Sequence, residues 1–180
     1  MAEQTVYVGV VGAEIEYGVC RDSIHQIIMR PGDCGPNFAR ATKGYDGRNW
    51  HVRQFLAGQE VCPVCNLENT LEPKDTSRVC KRCQSAFPEG FQGERRYRDY
   101  ILFLDSDMVF DPDTLERLRA HNLPYVSGLY MRRQYAPIAP IWFESNPGGE
   151  WPYLPWVGPI ERGKLHEIGA SGWGCVLVHR

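Results

Sequence analysis

Five apolar residues in a row, Tyr100-Ile-Leu-Phe-Leu104, run without a break into Asp105-Ser106-Asp107. A run apolar on both faces reads as a strand buried on both sides, the pattern of a central strand in a parallel sheet. The carboxyl edge of such a sheet is where open α/β folds bind ligands. Val6–Val11 (VYVGVV), ended by Gly12, reads as a second buried strand. Asp22 or Ser23 is placed to cap a helix carrying Ile24, Ile27 and Ile28, which Pro31-Gly32 stops before a loop through Cys34-Gly35-Pro36. Asp46 caps a second helix, Arg48–Ala57, with an apolar stripe of Val52, Phe55 and Leu56. Asp111 at N-cap and Pro112 at N1 open a third, with Leu115 and Leu118 inward, and Tyr125–Leu129 returns as a strand. Asn146–Gly149 is a turn between two short strands, and a last strand pair lies around Lys164–Ile168 and Cys175–Val178. This order predicts an α/β layered sheet with helices on both faces.

The second constraint is a cysteine pattern. Cys62-Pro-Val-Cys65 and Cys80-Lys-Arg-Cys83 stand 14 residues apart in a polar segment that has almost no apolar periodicity. Two such knuckles can present four thiolates to one tetrahedral ion, closed and structural because the protein supplies every ligand. Zinc fits better than a rubredoxin-like iron, since Asn66 and Gln84, not glycines, follow the pairs. Four reduced thiols or a redox pair is the alternative. Arg78, Lys81 and Arg82 are placed to offset the thiolate charge. The chain is therefore expected to divide into 1–57 with 96–180, and a ribbon inserted at 58–95. Cys20, Cys34 and Cys175 remain unpaired, and seven thiols with no disulfide framework fit a cytoplasmic protein.

Composition narrows the partners. The 180 residues carry a net charge of −2, which gives no basic field for nucleic acid or anionic membrane, and no apolar run approaches a membrane span. Arg95-Arg96-Tyr97-Arg98 beside the ribbon keeps open an interaction or nucleic-acid-binding module on an inactive scaffold.

Two carboxylates at i and i+2 of a strand point the same way and suit Mg²⁺ or Mn²⁺, which leaves positions for phosphate oxygens. An EF-hand loop is excluded by Val109 and Phe110, which stand where an oxygen ligand and a glycine are needed. The first motif of haloacid-dehalogenase-type phosphatases is also similar, but only Lys164 follows it and no adjacent acidic pair comes after Asp113. A solvated acidic turn is the bland alternative.

The segment ILFLDSDMVFDPDTLERLRAHNLPYVSGLYMRR resembles the centre of GT-A-fold glycosyltransferases, especially family 2-like members with an Asp-x-Asp motif. The likeness extends to Gly44-Tyr-Asp-Gly-Arg48-Asn49 and to the glycine-rich Gly169–Arg180. It implies a nucleotide-sugar donor bound through Mn²⁺ or Mg²⁺, with Asp105 near ribose or metal and Asp107 on the metal. Glu14, Arg48, Asn49 and Arg132 become further donor-site candidates, and the acceptor stays unassigned. Arg133 is the alternative to Arg132. In that family an acidic segment beyond the strand matching Cys175–Val178 supplies the base, so His166 and Glu167 are the nearest catalytic substitutes here. Nucleotidyl transfer is a further alternative, because related folds bind triphosphates with the same acidic pair.

Overall fold

The computed structural model describes residues 4–12, 18–40, 44–66, 68–69, 79–80, 83–86, 94–131, 142–161 and 163–180. Along the chain these form β1 (Val6–Gly12), α1 (Gly18–His25), β2 (Cys34–Arg40) and α2 (Gly44–Ala57). Three short strands follow, β3 (Gln59–Val61), β4 (Glu68–Asn69) and β5 (Arg95–Arg96). Then come β6 (Tyr100–Asp105), α3 (Thr114–Ala120), β7 (Tyr125–Ser127), β8 (Trp142–Ser145), β9 (Tyr153–Pro155), β10 (Ala170–Ser171) and β11 (Cys175–His179). Among the described residues no helix is long and apolar enough to cross a membrane.

The fold is α/β, built on a five-stranded sheet in the order β2-β1-β6-β11-β7. β1 pairs in parallel with β2 and with β6, whereas β11 runs antiparallel to both β6 and β7. The sheet is thus mixed, where the apolar runs alone predict a parallel one.

Strand alternation assigns the two faces. Val6, Val8, Val10, Leu102, Leu104 and Leu177 pack with Ile24 of α1 and with Leu115 and Leu118 of α3. Tyr7, Ile101 and Phe103 pack with Phe55 of α2 on the other face. Arg119 and Asp33, both almost wholly buried, pair at 2.5 Å. Asp33 also accepts the Val6 and Arg30 N–H groups at 2.8 Å, which ties α3 to the start of β1.

Several expected elements differ. Cys34–Arg40 is an edge strand and not a loop, and Pro36 is tolerated there because the ladder to β1 is interrupted by a register shift between Tyr7 and Gly9. α1 begins at Gly18, so Ser23 lies inside it. Its hydroxyl donates to the Cys20 carbonyl and accepts the Phe110 N–H. α3 begins at Thr114 behind Asp113, and Asp111 serves through its carbonyl. Ile28 and Leu56 are exposed. Lys164–Ile168 forms no strand; β8 pairs instead with Ala170–Ser171 on one side and with β9 on the other. The Asn146–Gly149 turn joins β8 to β9 as expected, with the Gly149 N–H donating to the Asn146 carbonyl.

The inward face of α2 carries His51, fully buried, where a hydropathy pattern expects Val52. Gly9 makes room for it, since a Cβ there would stand 2.7 Å from the imidazole Cγ. A carbonyl only accepts, so His51 Nε2–H donates to the Val10 oxygen at 3.0 Å, and Nδ1 accepts from the Tyr7 hydroxyl at 3.2 Å. Burial lowers the His51 pKa to about 4, while the Val10 bond acts in the opposite direction. The unfolded chain, titrating near 6.5, then binds the extra proton between about pH 6.5 and 4, and stability falls as pH drops through that window. Between pH 7 and 5 the loss from this group is about 2 kcal/mol. Urea unfolding at the two pH values checks this, with His51→Gln expected to lose correspondingly less.

Candidate functional site

β6 ends at Asp105, so strand alternation governs that carboxylate but not the next one. Asp105 follows Ile101 and Phe103 on the α2 face, and there Arg48 of α2 reaches it, Nη2 to Oδ1 at 2.7 Å. Ser106 and Asp107 lie in a turn beyond the strand, Asp107 exposed, so the expectation that alternation alone aligns both carboxylates is corrected. The turn is anchored on three sides. The Ser106 N–H donates to the Val11 carbonyl, the Asp105 N–H to the Gly174 carbonyl, and the Met108 N–H to the Asp105 carbonyl. Gly12 has a glycine's reason to be there, since a Cβ would lie 2.0 Å from Ser106 Oγ.

This turn occupies a particular place in the sheet. β2 lies on one side of β1 and β6 on the other, so the chain reverses direction across the sheet between β1 and β6. Such a switch point opens a crevice at the carboxyl ends of the two strands. Val11 stands opposite Asp105 in that register.

Residues that sequence reasoning left out complete the surroundings. Tyr130 accepts the Gly174 N–H at 3.0 Å through its hydroxyl. A Cβ on Gly174 would meet Met108 Sδ at 2.8 Å, and Asp105 Oδ2 and the Tyr130 ring at 3.2 Å, so the backbone packs closely beside the carboxylate where a side chain would clash. Burial pushes both Tyr130 and Cys175 up to about 12, and both are uncharged at neutral pH. Trp173, about half exposed, stands edge-on to Phe103 with ring centroids 5.3 Å apart. Trp173 and Gly174 belong to a glycine-rich stretch that is visible in the sequence. Tyr130 carries no such mark.

Of the other candidates, Asn49 is exposed on α2. Glu14, Arg132 and Arg133 lie outside the described residues, as do Arg78, Lys81 and Arg82. His166 and Glu167 line a different cleft of about 790 Å³ between β7 and residues 163–168, and neither Asp105 nor Asp107 lines it. His166 accepts the Glu161 N–H and packs its ring near Trp142 and Trp156.

The four cysteines form the second centre. Their sulfurs all lie within 4.8 Å of one another, with Cys62 to Cys83 and Cys65 to Cys80 both at 3.7 Å. Four ligands about 2.3 Å from a central ion, the zinc–thiolate length, form a tetrahedron with edges of about 3.8 Å. The cluster therefore has the size that one tetrahedral ion such as zinc requires. None of the seven cysteines is in a disulfide.

The knuckles are built alike. The Asn66 N–H returns to the Cys62 carbonyl and the Gln84 N–H to the Cys80 carbonyl, each at 2.9 Å. The Val64 and Cys83 N–H groups point at the Cys62 and Cys80 sulfurs, at 3.4 and 3.5 Å. Hydrogen bonding from Ser85 holds the Cys83 thiol below its ordinary pKa.

Closing each turn puts Asn66 at φ 55° and Gln84 at φ 60°, in the left-handed region. Asparagine visits that region readily and glutamine does not. Gln84→Gly is therefore expected to tighten metal binding by about 1 kcal/mol, roughly fivefold, and Asn66→Gly by less. Competition with a chromophoric chelator measures both. A scan against protein-family models finds no match for this chain, and comparison with curated proteins and with solved structures finds none either.

Proposed function

We propose that this chain is a GT-A-like glycosyltransferase module that binds a nucleoside-diphosphate sugar through a divalent cation at Asp105 and Asp107, and transfers the sugar to an acceptor. The observation that carries the reading is the position of the Asp-x-Asp turn, at the carboxyl end of β6 and at the switch point between β1 and β6. Two carboxylates are a donor set that suits Mg²⁺ or Mn²⁺, hard cations bound by one or two carboxylates together with phosphate oxygens. The cation would supply charge neutralisation for a departing nucleoside diphosphate. Asp105 is oriented for this by its N–H bond to Gly174 and by Arg48, and Asp107 is exposed where a ligand can reach it.

The four cysteines are read as a structural zinc site that organises residues 58–95 as an insertion, with 1–57 and 96–180 as the sugar-nucleotide domain. Supporting this, β3 and β5 pair antiparallel, Gln59 opposite Arg96 and Glu60 opposite Arg95. The chain thus leaves and rejoins the larger domain at neighbouring points. A protein partner at the ribbon is compatible with this arrangement.

The basic run is largely taken up within the fold. Arg98 is buried, Arg95 donates to the Ala57 carbonyl, and Arg96 pairs with Glu94. That weighs against a nucleic-acid-binding surface at Arg95–Arg98.

Calorimetric titration of UDP, GDP and their sugar conjugates, with and without Mn²⁺, tests the proposal on the zinc-loaded protein. Manganese-dependent binding is expected, lost to below detection in Asp107→Ala. A preference for nucleoside triphosphates over sugar nucleotides would favour nucleotidyl transfer. No binding of any nucleotide by a folded, zinc-loaded chain would overturn the donor site and favour an interaction module.

A further inference from the structure

We propose that the cleft between β7 and residues 163–168 binds an extended polypeptide segment, which adds to β7 as one more strand of the main sheet. The proposal is independent of the donor-site reading, since neither Asp105 nor Asp107 lines this cleft.

β7 ends the sheet, with β11 on one side and no strand on the other among the described residues. Its register says which backbone groups are left over. The Gly128 N–H donates to the Cys175 carbonyl at 2.9 Å, and the His179 N–H to the Pro124 carbonyl at 2.8 Å. Bonded positions alternate along an antiparallel pair, so Pro124, Val126 and Gly128 turn toward β11, while Tyr125 and Ser127 turn their N–H and C=O groups outward. Both residues line the cleft, whose volume is about 790 Å³. An unpaired edge of this kind is a template for another strand.

Three observations select the occupant. A peptide backbone carries donors and acceptors at the same two-residue spacing as Tyr125 and Ser127, whereas a saccharide carries hydroxyls without that alternation. The cleft is also continuous with the candidate site. It shares Arg117, Leu118, Gly128 and Leu129 with a second cavity of about 360 Å³ that reaches Met108, next to Asp107. A channel of that extent suits a chain better than a compact molecule. Finally, residues 163–168 form the facing wall, so β7 of a second copy, flanked by its own wall, is too broad to enter. Leu118, Val126 and Trp142 line the cleft and are apolar and mostly buried, so one face of the bound strand is expected to be apolar.

The test uses the zinc-loaded full chain and a short peptide selected against it from a random-sequence display library, with amide hydrogen exchange read residue by residue. In the free protein the Tyr125 and Ser127 amides are expected to exchange much faster than the Gly128 amide, and to become protected when the peptide binds. N-methylation of the peptide at the alternate residues that face β7 is expected to abolish binding. Ser127→Pro removes an outward N–H without touching a bond to β11 and is expected to weaken the peptide about tenfold, whereas Ser127→Ala binds as wild type does. If Ser127→Pro does not fold, the N-methylated peptides on wild type decide the matter. Enrichment of no peptide, protection confined to other amides, or binding that survives N-methylation in both alternate patterns overturns the proposal. Concentration-dependent protection of Tyr125 and Ser127 without peptide would put a second copy at the edge and overturn it too. So would protection of these amides by maltoheptaose where no peptide gives it.

Discussion

β1 and β6 pair in parallel from Val6 opposite Tyr100 to Val11 opposite Asp105, and most of the molecule follows from that register. It fixes which side chains of both strands face α1 and α3 and which face α2. It brings the end of β1 against the acidic turn, where Gly12 leaves room for Ser106 and the Val11 carbonyl takes the Ser106 N–H. A slip of one residue would turn the Asp105 carboxylate away from Arg48 and into the apolar layer of Leu102 and Leu104. The same strands that build the core therefore aim the charged end of β6.

α2 serves both ends of this arrangement. Phe55 lies in the apolar layer with Tyr7 and Phe103, His51 fills the gap over Gly9, and Arg48 meets Asp105. Its inner face thus grades from apolar to charged toward the carboxyl edge of the sheet. The buried polar atoms of His51 are satisfied by a strand carbonyl and a tyrosine hydroxyl, which lets a polar ring stand in the core.

What the sequence made legible were the features whose physics is local. The Tyr100–Leu104 run, the two Cys-x-x-Cys pairs, the inward Leu115 and Leu118 and the Asn146–Gly149 turn could each be read from a few neighbouring residues. Elements that depend on distant chain were not. Cys34-Gly35-Pro36 has turn composition, and only its place at the sheet edge makes it a strand. Lys164–Ile168 alternates like a strand, yet β8 is already paired on both sides. His51 does not look like a core residue until Gly9, forty-two positions earlier, is seen beneath it. Within the candidate site, the acid pair and Arg48 were visible as motifs. Tyr130, forty-four residues from the Gly174 N–H it accepts, could emerge only from the fold.

The proposed donor site requires a cation at the Asp-x-Asp turn. The most direct measurement is an anomalous-scattering map at the manganese edge, from crystals of zinc-loaded protein grown with Mn²⁺ and a nucleoside diphosphate. A manganese peak about 2.1 Å from a carboxylate oxygen of Asp107, bridged to phosphate, is the predicted result. Ordered nucleotide elsewhere, or manganese at no site near β6, would contradict it.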